Sequence, residues 1–461
     1  MNNLNFLVDV LKESPVFKTL EKNVKPGRTV CASGLSTINK SNIIYALCRL
    51  KGVTAFCLAS DEKEAQTLCN DLSCMGLRAY VYPVRDFNFL DFQSRSHEYE
   101  HARLKVLLKL INHECDVAIA CVDAAAQLTV PRNVLEQSVI EFEEGRELSL
   151  EKATKALILL GYERFDAVEG SGQFSLRGGI LDFFMPDSDY PVRCEFWGDE
   201  ITDLSYFDIE TQRRFKKADK ITLSPSTEIV IEDRAALADK IEHKAKLLRS
   251  KNSAKAKEKL FSEAELIRSG AMIANADKFI NQIYDKPESL FDYLDRNTLV
   301  FASEFTAIQE RGKSMDFISN ETLMQGFEDG TLCRGFDRFA LTFNECTEFL
   351  QSHGTIVLEN FVHGSMPIKL SEIISFSTKQ LSAWGGSYKQ LKEDVDGLFT
   401  PESKGVIFAG TERAAKNLCD TFNADGINAV YSEGADKISK GELLVMQGAL
   451  SAGFEYPSQK F

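Results

Sequence analysis

The spacing of apolar residues changes along the chain, and each change predicts a different architecture. Residues 4–22 place Leu4, Leu7, Val8 and Leu11 at helical intervals, which predicts one amphipathic helix. Beyond it, short continuous apolar runs alternate with helical patterns. The runs TVCA (29–32), VTAFCLA (53–59), RAYVYP (78–83) and DVAIACV (116–122) read as strands, with helices beginning near Ser41, Asp61 and His97. Strands apolar on both faces and separated by helices predict a parallel sheet covered on either side. Residues 1–127 are therefore expected to form an α/β unit.

After Pro131 the pattern shifts. A helix over about 150–162 leads into FSLRGGILDFFMP, YPVRCEFWG and EITDLSYFD, short strands joined by turns rich in Gly and Asp. Such spacing predicts an antiparallel α+β module, bounded at 128–228. Residues 229–340 turn helical again and complete the first unit through one apolar strand, TLVFASE (298–304). Nine Lys, Arg or His between 240 and 259 read as a solvated helical face. From 345 to 461, GTIVLENF and GVIFAGTERAAKNLCDTFNADGINAVYSEG predict a further small α/β domain.

Composition narrows the class. A chain of 461 residues holds about three to four domains. Its net charge of −14 is spread along the sequence and argues against broad, nonspecific grip on DNA. No apolar run approaches the roughly 20 residues of a membrane span, and no signal peptide opens the chain. Eleven cysteines without a C-x-x-C pair read as small buried hydrophobes in a reducing compartment. The cytoplasm is the expected location, with no membrane partner.

Two stretches hold candidate chemistry. In GLSTINKS (34–41), Gly34, Lys40 and Ser41 fit a phosphate loop, but Asn39 replaces its second glycine. The strand–turn–helix context is right for aiming N–H groups at an anion. A working ATPase also needs an apolar strand ending in Asp-Glu to organise Mg²⁺, whereas here Ser303 precedes Glu304. No Q-x-x-G-R-x-x-R arginine-finger motif appears near the end of the chain. The loop is read as vestigial, with no ATP hydrolysis and no cofactor expected. HEYEH (97–101) matches the zinc-protease pattern, with His97 and His101 as ligands and Glu98 as base. It lacks the extended third-histidine motif, and is read instead as a solvated, charged first turn of a helix.

A third stretch is more specific. Residues 161–214 carry Gly161, Tyr162, Gly172, Phe174, Arg177, Gly178, Gly179, Pro186, Arg193, Glu195, Gly198, Asp199, Glu200, Phe207, Asp208, Gln212 and Arg213 in a fixed order. This order resembles the module shared by the bacterial excision-repair subunit UvrB and the transcription-repair coupling factors. Trp197 stands where Phe is usual. The ending TQRR and the eroded ATP motifs favour the coupling factors. More weakly, the resemblance extends over the whole chain. It implies a UvrB-like degenerate P-loop (RecA-like) α/β domain with an inserted antiparallel α+β module, followed by a small α/β domain. It also implies an N-terminal piece of a longer ATP-dependent DNA translocase. In that protein ATP and Mg²⁺ serve two motor lobes that move on double-stranded DNA, and a separate domain engages RNA polymerase, all of them downstream of this chain.

The implied role of this chain is non-enzymatic recruitment of UvrA. Motif match gives Arg164, Phe174, Arg177 and Arg193 as UvrA contacts. Arginine offers a planar donor fork for carboxylates, and an exposed aromatic supplies anchoring area. Gly178 and Gly179 are expected to form a turn or bulge that aims Arg177. Arg193 is also open to pairing with Glu195 on the same strand face. The alternatives are a UvrB-like nucleotide-dependent repair enzyme and a zinc hydrolase acting through His97 and His101. ATP turnover and metal content separate them.

Overall fold

The computed structural model describes residues 4–85, 97–137, 140–249, 253–270, 276–362, 366–381, 384–435 and 437–461. Lys251 of the basic run lies outside them. The first four apolar runs form β1 (Val30–Ser33), β2 (Ala55–Ala59), β3 (Ala79–Val81) and β4 (Val117–Cys121). The helices between them span Thr37–Lys51, Glu62–Cys74 and Glu98–Ile111.

The inserted module contributes eight strands: β5 (Ile140–Glu143), β6 (Glu163–Arg164), β7 (Gln173–Arg177), β8 (Ile180–Phe183), β9 (Val192–Trp197), β10 (Glu200–Phe207), β11 (Arg214–Lys217) and β12 (Lys220–Leu223). Its main sheet has the order β11-β10-β9-β8-β7-β6 and is antiparallel except for the parallel β6–β7 pair. Strands β5 and β12 pair separately. One face of the main sheet packs with helix Leu150–Leu159 around Phe142, Leu157, Phe174, Phe183 and Leu204.

The chain then returns to the first unit through β13 (Leu299–Ser303), β14 (Thr355–Leu358) and β15 (Glu372–Ser375). The resulting parallel sheet has the order β15-β1-β14-β13-β2-β4-β3 and is covered by helices on both faces. Strand β16 (Lys379–Leu381) leads to a small parallel sheet of β17 (Gly405–Ala409), β18 (Ala429–Tyr431) and β19 (Leu443–Gln447). The last strand, β20 (Gly453–Glu455), pairs back with β16. All eleven cysteines are unpaired, and all but Cys74 are buried.

The structure corrects three expectations. The single helix over 4–22 is two, Asn5–Lys12 and Pro15–Asn23. Pro15 has no N–H to continue the first helix but suits the first turn of the second, where the Ser14 hydroxyl accepts from the N–H of Phe17 at 3.4 Å. The boundary at 345 also falls elsewhere, because β14 and β15 flank β1 in the large sheet. A four-residue apolar run marks a strand but does not name its neighbours. Finally, residues 128 and 129 belong with the first unit rather than the module. The N–H of Leu128 donates to Phe339 O at 2.8 Å and that of Thr129 to Glu288 O at 2.6 Å.

Candidate partner surface and candidate phosphate loop

The phosphate-loop geometry is present, but protein atoms fill it. Gly34 turns the chain after β1 with φ of 78°. Its N–H donates to Asn360 O, and that of Leu35 to Glu359 O, both at 3.1 Å. A Cβ on Gly34 would lie 2.2 Å from Phe376 O, so the turn packs directly against another segment. Asn39 accepts from the Ser36 hydroxyl at 2.6 Å. Lys40 is buried, and its Nζ lies 2.5 Å from Glu304 Oε1, 3.0 Å from Ser303 Oγ and 3.5 Å from Glu64 Oε1. Ser303, in the position of the missing aspartate, donates to Glu64 at 2.5 Å. The lysine that would meet a nucleotide phosphate therefore meets two carboxylates of its own chain.

Glu304 holds a left-handed backbone, φ 55°, at the start of helix Phe305–Asp329. Burial opposes its charge, but the attraction and hydrogen bond of Lys40 keep its pKa low. Neighbouring Glu359 is fully buried and accepts from the N–H of Phe305 at 2.8 Å. Burial and then the charge of Glu304 push its pKa up to about 7. Raised above its unfolded value of about 4.3, this carboxyl favours the folded state fully at acid pH. That contribution is lost as pH rises through about 7. Glu359→Gln should therefore raise the melting temperature at pH 8 and change it little at pH 5. An equal shift at both pH values contradicts the assignment.

The HEYEH helix start is solvated on one side only: Glu98 and Tyr99 are exposed, but Glu100 faces inward, which corrects part of that reading. Glu100 is buried and accepts from His97 Nδ1 at 3.0 Å, and from Thr227 Oγ1 and the N–H of Glu228 at 2.8 Å each. Burial works against its ionisation, yet the His97 hydrogen bond and the Arg85 charge bring its pKa down to about 2. His101 Nε2 is hydrogen-bonded with Ser226 Oγ at 3.2 Å, and burial lowers its pKa. A Cβ on Gly172 would lie 2.6 Å from the His101 ring. Two residues on, fully buried Arg103 donates to Glu228 at 2.6 Å and to Gln127 at 2.8 Å. The motif is thus a polar joint that seats the module on the first unit. Among the described residues, no group of three or more His, Cys, Asp or Glu is placed to hold a metal ion.

The module's arginines separate by environment. Arg177 closes β7 and Ile180 opens β8, joined by the two-residue turn Gly178–Gly179, with Gly178 at φ 62°. The Arg177 side chain is half exposed, and its Nη2 donates to Asp182 Oδ2 at 2.8 Å. Asp182 is itself buried and also accepts from Arg193 Nε at 2.7 Å and Nη2 at 2.8 Å. Arg193 further donates to Gln212 O at 3.1 Å and lies 4.4 Å from the centre of the Phe207 ring. It braces the sheet through Asp182 and not through Glu195, which pairs with Arg214. Arg164 lies exposed on edge strand β6, and none of the described residues pairs with its guanidinium.

Phe174 overturns the expectation of an exposed aromatic anchor. Its relative exposure is 0%, within the module core. Strand alternation gives the reason, since Phe174 and Arg177 are three residues apart and so face opposite sides. The register Arg164↔Phe174 likewise puts Arg164 on the core-facing side, beyond the rim of the core and away from Arg177. Sequence reasoning missed two exposed aromatics on the outer face, Phe165 and Trp197. Trp197 was legible in principle, because it alternates in phase with Arg193 and Glu195.

Residues 140–229 match the model of the UvrB interaction domain, which spans the inserted module and its return to the joint. The transcription-repair-coupling factor of Bacillus subtilis is 26% identical over 98% of the chain. The chain is similar to the N-terminal region of such a factor. The transcription-repair-coupling factors of Staphylococcus epidermidis and Staphylococcus aureus are 25% and 22% identical over 82% and 98% of it. The chain covers 39% of the B. subtilis and S. aureus proteins and 32% of the S. epidermidis protein. No helix among the described residues is long and apolar enough to cross a membrane.

Proposed function

We propose that the inserted module is a docking platform for UvrA, and that the longer protein delivers UvrA to lesions where RNA polymerase has stalled. The observation that carries the reading is Arg177: a half-exposed guanidinium, steered from below by a buried carboxylate, on a module that matches the UvrB interaction domain. Among the described residues the Arg177 guanidinium makes one contact, through Nη2, which leaves its other N–H groups to meet carboxylates on a partner. Polymerase displacement and ATP-driven movement on double-stranded DNA belong, in this reading, to parts of the longer protein beyond this chain. Titration of purified UvrA with this chain tests the proposal, and saturable binding is expected. Absence of binding at micromolar concentrations overturns it.

The chain itself acts in this proposal without ATP, supported by the two carboxylates and the hydroxyl that occupy Lys40. Titration with Mg-ATP should show no micromolar affinity, and incubation no turnover. Micromolar binding would favour a UvrB-like nucleotide-dependent enzyme instead.

A further inference from the structure

On the outer face of the module's sheet, Arg177 does not stand alone. The N–H of Phe165 donates to Phe174 O, which sets Phe165 beside Ser175 on the edge of β7. Alternation turns its ring to the same face as Ser175 and Arg177, where it is 44% exposed. On the other side, Arg177 pairs with Ile180 and Ile180 with Glu195, so Trp197 lies on this face two residues further along β9. Trp197, the last residue of β9 before the turn at Gly198, is 82% exposed. With about 4.8 Å between strands and 3.4 Å per residue, Phe165 lies about 8 Å from Arg177 and Trp197 about 12 Å away on the opposite side. The three residues form one diagonal, floored between Arg177 and Trp197 by partly buried Ile180.

We infer that Phe165 and Trp197 are apolar anchors flanking Arg177 in a single docking strip for an acidic surface of UvrA bearing an apolar recess on either side. This rests on the reading of the module as a UvrA platform and adds the residues that would give the contact its area. Tryptophan and arginine dominate interface energetics because they combine large buried area with directed hydrogen bonds. Charge defines the middle of the strip. Asp182 is shared between Arg177 and Arg193, which leaves one net positive charge there, while Glu195, on the same face between Arg177 and Trp197, is neutralised by Arg214. Glu200, opposite Trp197 across the hairpin turn, marks the end beyond which an acidic partner is disfavoured.

The chain has only two tryptophans, Trp197 and Trp384, which makes the contact visible directly. In full chain labelled with 5-fluorotryptophan, adding UvrA should shift or broaden the fluorine resonance of Trp197, assigned with Trp197→Phe, well beyond that of Trp384. Trp197→Ser and Phe165→Ser should each weaken UvrA binding by about tenfold or more, with circular dichroism and melting temperature unchanged because both side chains are exposed. If wild-type chain binds UvrA while the Trp197 resonance is unmoved and both serine variants bind within twofold of wild type, the strip is wrong and the platform stands. If wild-type chain does not bind UvrA, both fail.

Discussion

Lys40→Met is expected to destabilise the first unit by about 3–5 kcal/mol, the cost typical of removing one partner from a buried ion pair. The reason lies in what remains. Glu304 and Glu64 would keep their places beside Ser303 with no cation between them, and Glu359 stands next to Glu304. The uncompensated charge would be held at the ends of β13 and β14, in the middle of the large sheet. Denaturant midpoints followed by circular dichroism would measure the loss. Adding Glu304→Gln to Lys40→Met should recover part of it, since the double change removes the orphaned charge along with its partner. A loss below about 1 kcal/mol in the single variant would mean that the lysine is solvated like a surface residue, contrary to its burial. Lys40 is a structural tie between the helix after β1 and the strands beside it.

Much of this arrangement was legible locally. The alternation of apolar runs and helices located the parallel sheet, and Gly178–Gly179 located the turn that presents Arg177. Ser303 in place of Asp was visible in the sequence, but not that Glu64, far off along the chain, would meet both Ser303 and Lys40. Long-range partners are where one-dimensional patterns stop. The run 355–358 looks like the start of a new domain because nothing in four apolar residues states that they lie between β1 and β13. HEYEH looks solvated because its partners, Ser226 to Glu228, arrive only after the whole module. Phe174 was a different kind of error. Its odd spacing from Arg177 already placed the two on opposite faces, and the shared motif drew both into one surface.

Arg177→Glu is expected to weaken UvrA binding by at least about 30-fold, since loss of a single interface arginine costs about 2 kcal/mol or more. Charge reversal adds repulsion against the partner's carboxylates. The fold should survive, because Asp182 keeps both hydrogen bonds from Arg193 and the substituted side chain is half exposed. Wild-type binding should also weaken as salt rises, since part of the attraction is screened. Arg164→Ala should add its effect independently of Arg177, because the two arginines occupy opposite sides of the sheet. The most direct measurement is a calorimetric titration of UvrA with wild type and with Arg177→Glu, circular dichroism confirming that both are folded. Saturable binding by wild type and a loss of about 30-fold or more in the variant is the expected result, and equal affinity in the two folded proteins contradicts the account.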